Sequence, residues 1–216
     1  MHLFIALADP VQTSWEFLTK GGIFMLPLGL AALGGLTAIL FKFLSLSRGR
    51  VMPDTLALKI NRGAELDDIE REAHEGGSTL ARLVRVAMRH RDKPPGDIIL
   101  AVEASAREEA SRLHAGIGVL DVVITVAPLL GLLGTASGLI AIFDGLGDSA
   151  DYMAIALGIA KALNTTIFGL AIAVPCVVAH GYFTRRIEVF TARLEALLAE
   201  LASACQAKQD VVTTDR

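Results

Sequence analysis

The chain has 216 residues, 53% of them hydrophobic, with a mean hydropathy of +0.53, which is high for a soluble domain. Its formal net charge of −3 gives no footprint for nucleic acid. The two cysteines, Cys176 in an apolar run and Cys205 in a polar one, do not make a disulfide framework. The apolar residues concentrate in three blocks, and that predicts an all-α membrane protein with three transmembrane helices.

Residues 1–22 are expected to form a short helix lying at the periplasmic interface. Asp9 can cap it, Pro10 suits its first position, Gly21-Gly22 ends it, and Trp15 anchors it among headgroups. Leu3 to Ala8 is too short an apolar core for a cleavable signal, and no basic residue precedes it. The first span is 23–44, whose one charge, Lys42, sits near its end and is expected to snorkel. Residues 45–115 are polar, with twelve basic and twelve acidic side chains. Gly63, Gly76-Gly77 and Pro94-Pro95-Gly96 divide this section into pieces near 54–61, 65–74, 78–91 and from 97 onward, a small helical cytoplasmic domain with no catalytic cluster.

The second span, 116–143, has Asp121 as its one ionisable residue before the terminal turn. Ala127, Gly131, Gly134, Gly138 and Ala141 recur at threes and fours, a stripe of small residues suited to close helix approach. Asp121, Thr125, Pro128 and Thr135 make an adjoining polar stripe, which should face protein or a wet path because polar groups are costly in lipid. No proline intervenes between Asp97 and Pro128, although Gly116 and Gly118 weaken the middle; a single helix from 97 to 143 would be about 70 Å long. An acidic periplasmic loop follows at 144–154.

In the third span, 155–182, Gly158, Ala162, Thr165, Gly169, Ala173 and Cys176 form a second small stripe, with Thr166 at its border. Pro175 either kinks this helix or leaves a backbone carbonyl free. Phe183, Ile187, Phe190, Leu194, Leu197 and Leu201 continue as a coiled-coil-like seam through a cytoplasmic helix at 183–206, before a flexible tail at 207–216. The second and third transmembrane helices therefore extend far into the cytoplasm. Of the 20 basic residues, all but Lys20 and Lys161 fall on one side. By the positive-inside rule the charged domain and C-terminus are cytoplasmic, and the N-terminus and the acidic loop lie outside, which in a bacterium is the periplasm.

With three spans and this orientation, the chain resembles the MotA/TolQ/ExbB family of ion-driven motor subunits, closest to its three-span ExbB and TolQ branch. The resemblance rests on Thr125-Val-Ala-Pro-Leu-Leu-Gly-Leu-Leu-Gly-Thr135, on Gly158-Ile-Ala-Lys-Ala-Leu-Asn-Thr-Thr166, and on Gly169-Leu170 with Ala173-Val-Pro175. It implies a homo-pentamer in the bacterial inner membrane around a dimer of single-span ExbD- or TolR-like partners, acting on a TonB- or TolA-like protein. It further implies that Thr135 and Thr166 line a central pore beside a membrane carboxylate of the partner, which carries the proton. Where many members have Glu, this sequence has Lys161, which either snorkels or pairs with a carboxylate, or acts directly in transport.

By helical rise Thr135 lies about 12 Å and Thr166 about 17 Å from the outer ends of their spans, at similar mid-membrane depths. Thr125 and Thr165 join them as pathway candidates. Gly131, Gly134, Gly138, Gly158 and Gly169 are the helix-packing candidates, together with Pro128 and Pro175. Asp121 is level with His180 and Arg185, either as a structural pair or as a proton exit. No Ser/His/Asp arrangement, metal motif or phosphate loop is visible, so neither an enzyme, a metal nor a cofactor is expected. Two other readings stay open: a non-conducting membrane scaffold, and the stator of another ion-driven motor.

Overall fold

A computed structural model describes residues 23–144 and 152–214. The expected interfacial helix at 1–22 and most of the acidic loop lie outside the described residues. The described residues form eight helices: α1 Met25–Ser45, α2 Arg48–Val51, α3 Asp54–Asn61, α4 Leu66–Glu75, α5 Thr79–Arg89, α6 Pro95–His114, α7 Ile117–Asp144 and α8 Tyr152–Thr214. Three stretches, Met25–Ser45, Gly96–Asp144 and Ile155–Gln206, are long and apolar enough to cross a membrane. The chain divides into two compact units, residues Met1–Leu40 with Gly118–His180, and Phe41–Ile117 with Gly181–Arg216.

The first unit is apolar outside as well as inside. Leu26, Leu30, Leu33, Leu36 and Leu40 of α1 are exposed, as are Leu129, Leu132 and Ile140 of α7 and Leu163, Ile167 and Val174 of α8. Such a surface is stable only in hydrocarbon, where each helix satisfies its own backbone groups. Contacts between these helices are made by small side chains. Gly35 of α1 sits so close to α7 and α8 that a methyl group on it would lie 2.8 Å from the Cys176 sulfur and 3.4 Å from Val123.

The second unit is built as a soluble domain is. Ser78 starts α5 by accepting a hydrogen bond from the Ala81 amide at 3.1 Å. Arg85 closes α4 by donating to the carbonyls of Ala73 (2.6 Å) and Gly76 (2.8 Å). Leu56, Ile69, Leu80, Leu83 and Val84 are buried in this unit. Phe183, Ile187, Phe190, Leu194, Leu197 and Leu201 are buried along α8. Residues of α6 and α8, among them Val102, Ala106, Leu198 and Ala202, line one cavity of about 660 Å³.

Lys59 and Glu72 tie α3 to α4 at 2.6 Å. Hydrogen bonds from Lys59 and then Thr55 hold the Glu72 carboxyl below its ordinary value of 4.5. A carboxyl depressed on folding stabilises the fold above that ordinary value, and the contribution is lost as pH falls through the lower folded value. Glu72→Gln is therefore expected to flatten the fall in thermal midpoint on acidification below about pH 4.5, with little change in the slope above it. Melting curves across an acid series check this.

Three expectations are corrected. The single helix from 97 to 143 is broken: α6 ends at His114, and Gly116 takes a positive φ of 86°, a conformation that side-chain-bearing residues rarely adopt. Lys42 does not snorkel. It is 1% exposed, and its ammonium donates to the Leu113 carbonyl at 2.7 Å, an acceptor left over where α6 stops. The segment expected to be a tail from 207 is helical to Thr214. After Gly181 the sequence holds neither glycine nor proline, so nothing local ends α8 where the apolar seam ends.

Candidate functional site: a hydroxyl cluster between two apolar helices

The glycines of α7 and α8 bring two backbones into contact. A methyl group on Gly131 would lie 2.8 Å from the Thr165 carbonyl oxygen, and one on Gly169 would lie 2.5 Å from that of Ala127. Gly134 faces the Thr165 side chain and Gly138 faces Ala162, each at 2.8 Å by the same measure, while Gly158 faces Ile142 at 2.7 Å. The two small stripes therefore meet each other within one chain.

That close approach leaves room for three hydroxyls. Thr135 and Thr166 are hydrogen-bonded to each other across the helix pair, and either can donate. Thr166 also reaches the Gly131 carbonyl at 3.1 Å. Thr165 bonds the carbonyls of Gly131 (3.1 Å) and Ala162 (2.8 Å), and Thr135 bonds the same two at 3.1 and 3.2 Å. Each hydroxyl has one proton to give and lone pairs to accept, so three donors share two carbonyls and one another. Thr165 is buried, whereas Thr135 and Thr166 are half-buried and present the edge of the cluster to whatever lies beside the chain. Such an edge can bond a carboxylic acid in either protonation state.

The other sequence candidates are not part of this cluster. Thr125 is exposed and its hydroxyl bonds back to the Asp121 carbonyl at 3.0 Å. Asp121 pairs with His180, carboxylate oxygen to Nε2 at 2.9 Å. Arg185 instead pairs with Glu188 at 3.2 Å. Lys161 is exposed on α8. Both helices run without interruption through Pro128 and Pro175, of which the first is half-buried and the second exposed. Among the described residues no group of three or more His, Cys, Asp or Glu side chains comes together as metal ligands do.

Sequence reasoning passed over Asn164, an exposed amide three residues along α8 from Lys161 and on the same side of the helix. An Asn-Thr-Thr run within an apolar span was its signal. It also missed the acceptor role of the Gly131 and Ala162 carbonyls, for which side-chain identity gives no sign.

Residues 75–196 match the model of the MotA/TolQ/ExbB proton channel family. The chain is 36% identical over 167 residues to a putative biopolymer transport protein ExbB-like 1 of Synechocystis, covering 74% of this chain and 65% of that protein. It is 31% identical over 189 residues to a putative ExbB homolog of Methanothermobacter thermautotrophicus, covering 83% and 67% respectively. A Tol-Pal system protein TolQ of Pseudomonas aeruginosa is 35% identical over 95 residues, 43% of this chain and 41% of that one. The chain thus spans about two thirds or less of the length of these relatives. With the match over more than half of the sequence and three apolar helices long enough to cross a bilayer, the chain belongs to the MotA/TolQ/ExbB proton channel family.

Proposed function

We propose that this chain is the channel and motor subunit of an inner-membrane complex that draws on the proton motive force. Five copies surround a dimer of single-span ExbD- or TolR-like partners, and the energised complex acts on a TonB- or TolA-like protein to drive an envelope process such as TonB-dependent outer-membrane transport. The first, second and third spans are 23–44, 116–143 and 155–182. The N-terminus is periplasmic, and the charged segments at 45–115 and 183–216 are cytoplasmic. The membrane potential supplies about 2.3 kcal/mol per proton per 100 mV.

The observation that carries this reading is the half-buried pair Thr135 and Thr166, bonded to each other and to the Gly131 carbonyl within the apolar stretches of α7 and α8. Polar groups at that depth are seldom turned to lipid. A partner carboxyl meeting them exchanges hydrogen bonds with the threonines as it gains and loses its proton. Lys161, nearer the periplasmic end of α8, serves as the positive neighbour of an acidic partner residue rather than as a carrier.

Thr135→Val and Thr166→Val keep the shape of the side chain and remove the hydroxyl. In vesicles holding this subunit and its single-span partner, each is expected to cut proton flux at least 10-fold while membrane levels and assembly stay unchanged, and serine at the same position restores most of it. Wild-type flux in both valine variants overturns the reading.

A further inference from the structure

A second cavity, of about 580 Å³, opens in the polar unit beside the end of α1. Its charged lining consists of Lys42, Arg50, Arg82 and Arg112 against one acid, Glu109. Arg82 and Arg112 are both tied to Glu109, and Arg112 also to Glu108 at 2.8 Å. The other two cations have no such neutralisation. Lys42 is 99% buried by the chain, and among the described residues its ammonium has one neutral carbonyl and no carboxylate as partner. Arg50 is exposed, and its guanidinium makes no hydrogen bond or ion pair among the described residues.

Burying an ammonium without a counter-ion disfavours its charged form, and an anion brought beside it restores that form. The rim of the cavity indicates where that anion comes from. Phe41 lines it, and Phe41, Phe43 and Leu44 are 60 to 65% exposed at the end of a span that crosses the bilayer. An occupant with a phosphate in the cavity and hydrocarbon along these side chains satisfies both surfaces at once. Arg82 forms a fixed wall of the cavity, held by Glu109, by the Gly77 carbonyl at 2.8 Å and by the Thr79 hydroxyl at 3.2 Å.

We infer that this cavity binds the phosphodiester headgroup of an anionic phospholipid of the surrounding bilayer, with Lys42 and Arg50 as the charges that recognise it. The lipid holds the end of α1 at the level of the headgroups. The site is separate from the threonine cluster and does not depend on which ion the complex conducts.

The test uses the full chain in a neutral detergent, titrated with phosphatidylglycerol or with phosphatidylcholine, with bound lipid counted by native mass spectrometry. Wild type is expected to prefer phosphatidylglycerol at least 10-fold. Arg50→Gln, which removes no bond within the described fold, is expected to lose most of that preference, and Lys42→Met all of it. Arg193→Gln, at an exposed cation away from the cavity, is expected to keep it. The inference is overturned if wild type shows no preference, if Arg50→Gln retains it in full, or if Arg193→Gln loses as much as Arg50→Gln. Complete displacement of the lipid by millimolar inorganic phosphate also overturns it, since the cavity would then be a site for a free anion.

Discussion

Gly169→Ala is expected to cost about 3 kcal/mol of stability, although it adds one methyl group. That methyl would sit 2.5 Å from the Ala127 carbonyl oxygen, 3.2 Å from its carbon and 3.2 Å from the Gly131 Cα. All three are backbone atoms of α7, so no side chain can swing away, and relief comes only by moving the helices apart. Separation in turn lengthens the bonds from Thr165 and Thr166 to Gly131, so proton flux falls along with stability. Gly29→Ala is the control, because nothing lies within 4 Å of a methyl group there, and it is expected to change stability by less than about 0.5 kcal/mol. Thermal unfolding in detergent, followed by the reaction of buried Cys176 with a thiol dye in a Cys205→Ser background, measures both. Equal midpoints for the two variants would remove the argument that backbone contact between α7 and α8 holds the site.

The second large effect is expected at Arg82. Its guanidinium binds both oxygens of Glu109, whose side chain is 8% exposed. Arg82→Ala leaves that carboxylate nearly buried with only Arg112, at 3.4 Å, as a charged partner. Removing the more exposed member of this half-buried pair leaves the desolvated carboxylate under-compensated, so a loss of about 2 kcal/mol is expected. The double variant Arg82→Met, Glu109→Leu removes both charges and keeps apolar bulk. It is expected to recover most of the loss, since well-packed apolar replacements of buried pairs are often nearly neutral. Chemical denaturation of the two variants beside wild type decides the point, and a double variant as unstable as the single one would show that packing, not charge, is lost.

Much of the fold was legible because hydrocarbon imposes a strict rule. A span needs about 20 apolar residues, and the chain has three such runs. Pro53, Ser78 and Pro94 mark where α3, α5 and α6 begin, for reasons of backbone geometry that act locally. Gly116 was legible as a weak point of the helix but not as a break. A glycine tolerates helix or turn alike, and its positive φ comes with a neighbouring Lys42 Cε that would lie 3.5 Å from an added methyl group. The fate of Lys42 was hidden for the same reason, because the carbonyl that receives it exists only once α6 has stopped.

At the site, the spacing of threonines and glycines told which residues share a face but not what that face meets. Period alone cannot separate a partner within the chain from a second copy. The contact of Gly131 with Thr165 and Thr166 needed the fold to bring together residues more than thirty positions apart.

The pairing of the two small stripes inside one subunit bears on how such subunits can be exchanged. Outward from α7 and α8 point mainly bulky branched side chains, Leu129, Leu132, Ile140, Leu163, Ile167 and Val174. Swaps among branched aliphatics of similar volume usually cost less than about 1.5 kcal/mol, so this outer face tolerates exchange. For the ring proposed above, hybrids of this chain with a related species' subunit are therefore expected to assemble, whereas a chimera that takes α7 from one parent and α8 from another has to match its glycines one by one.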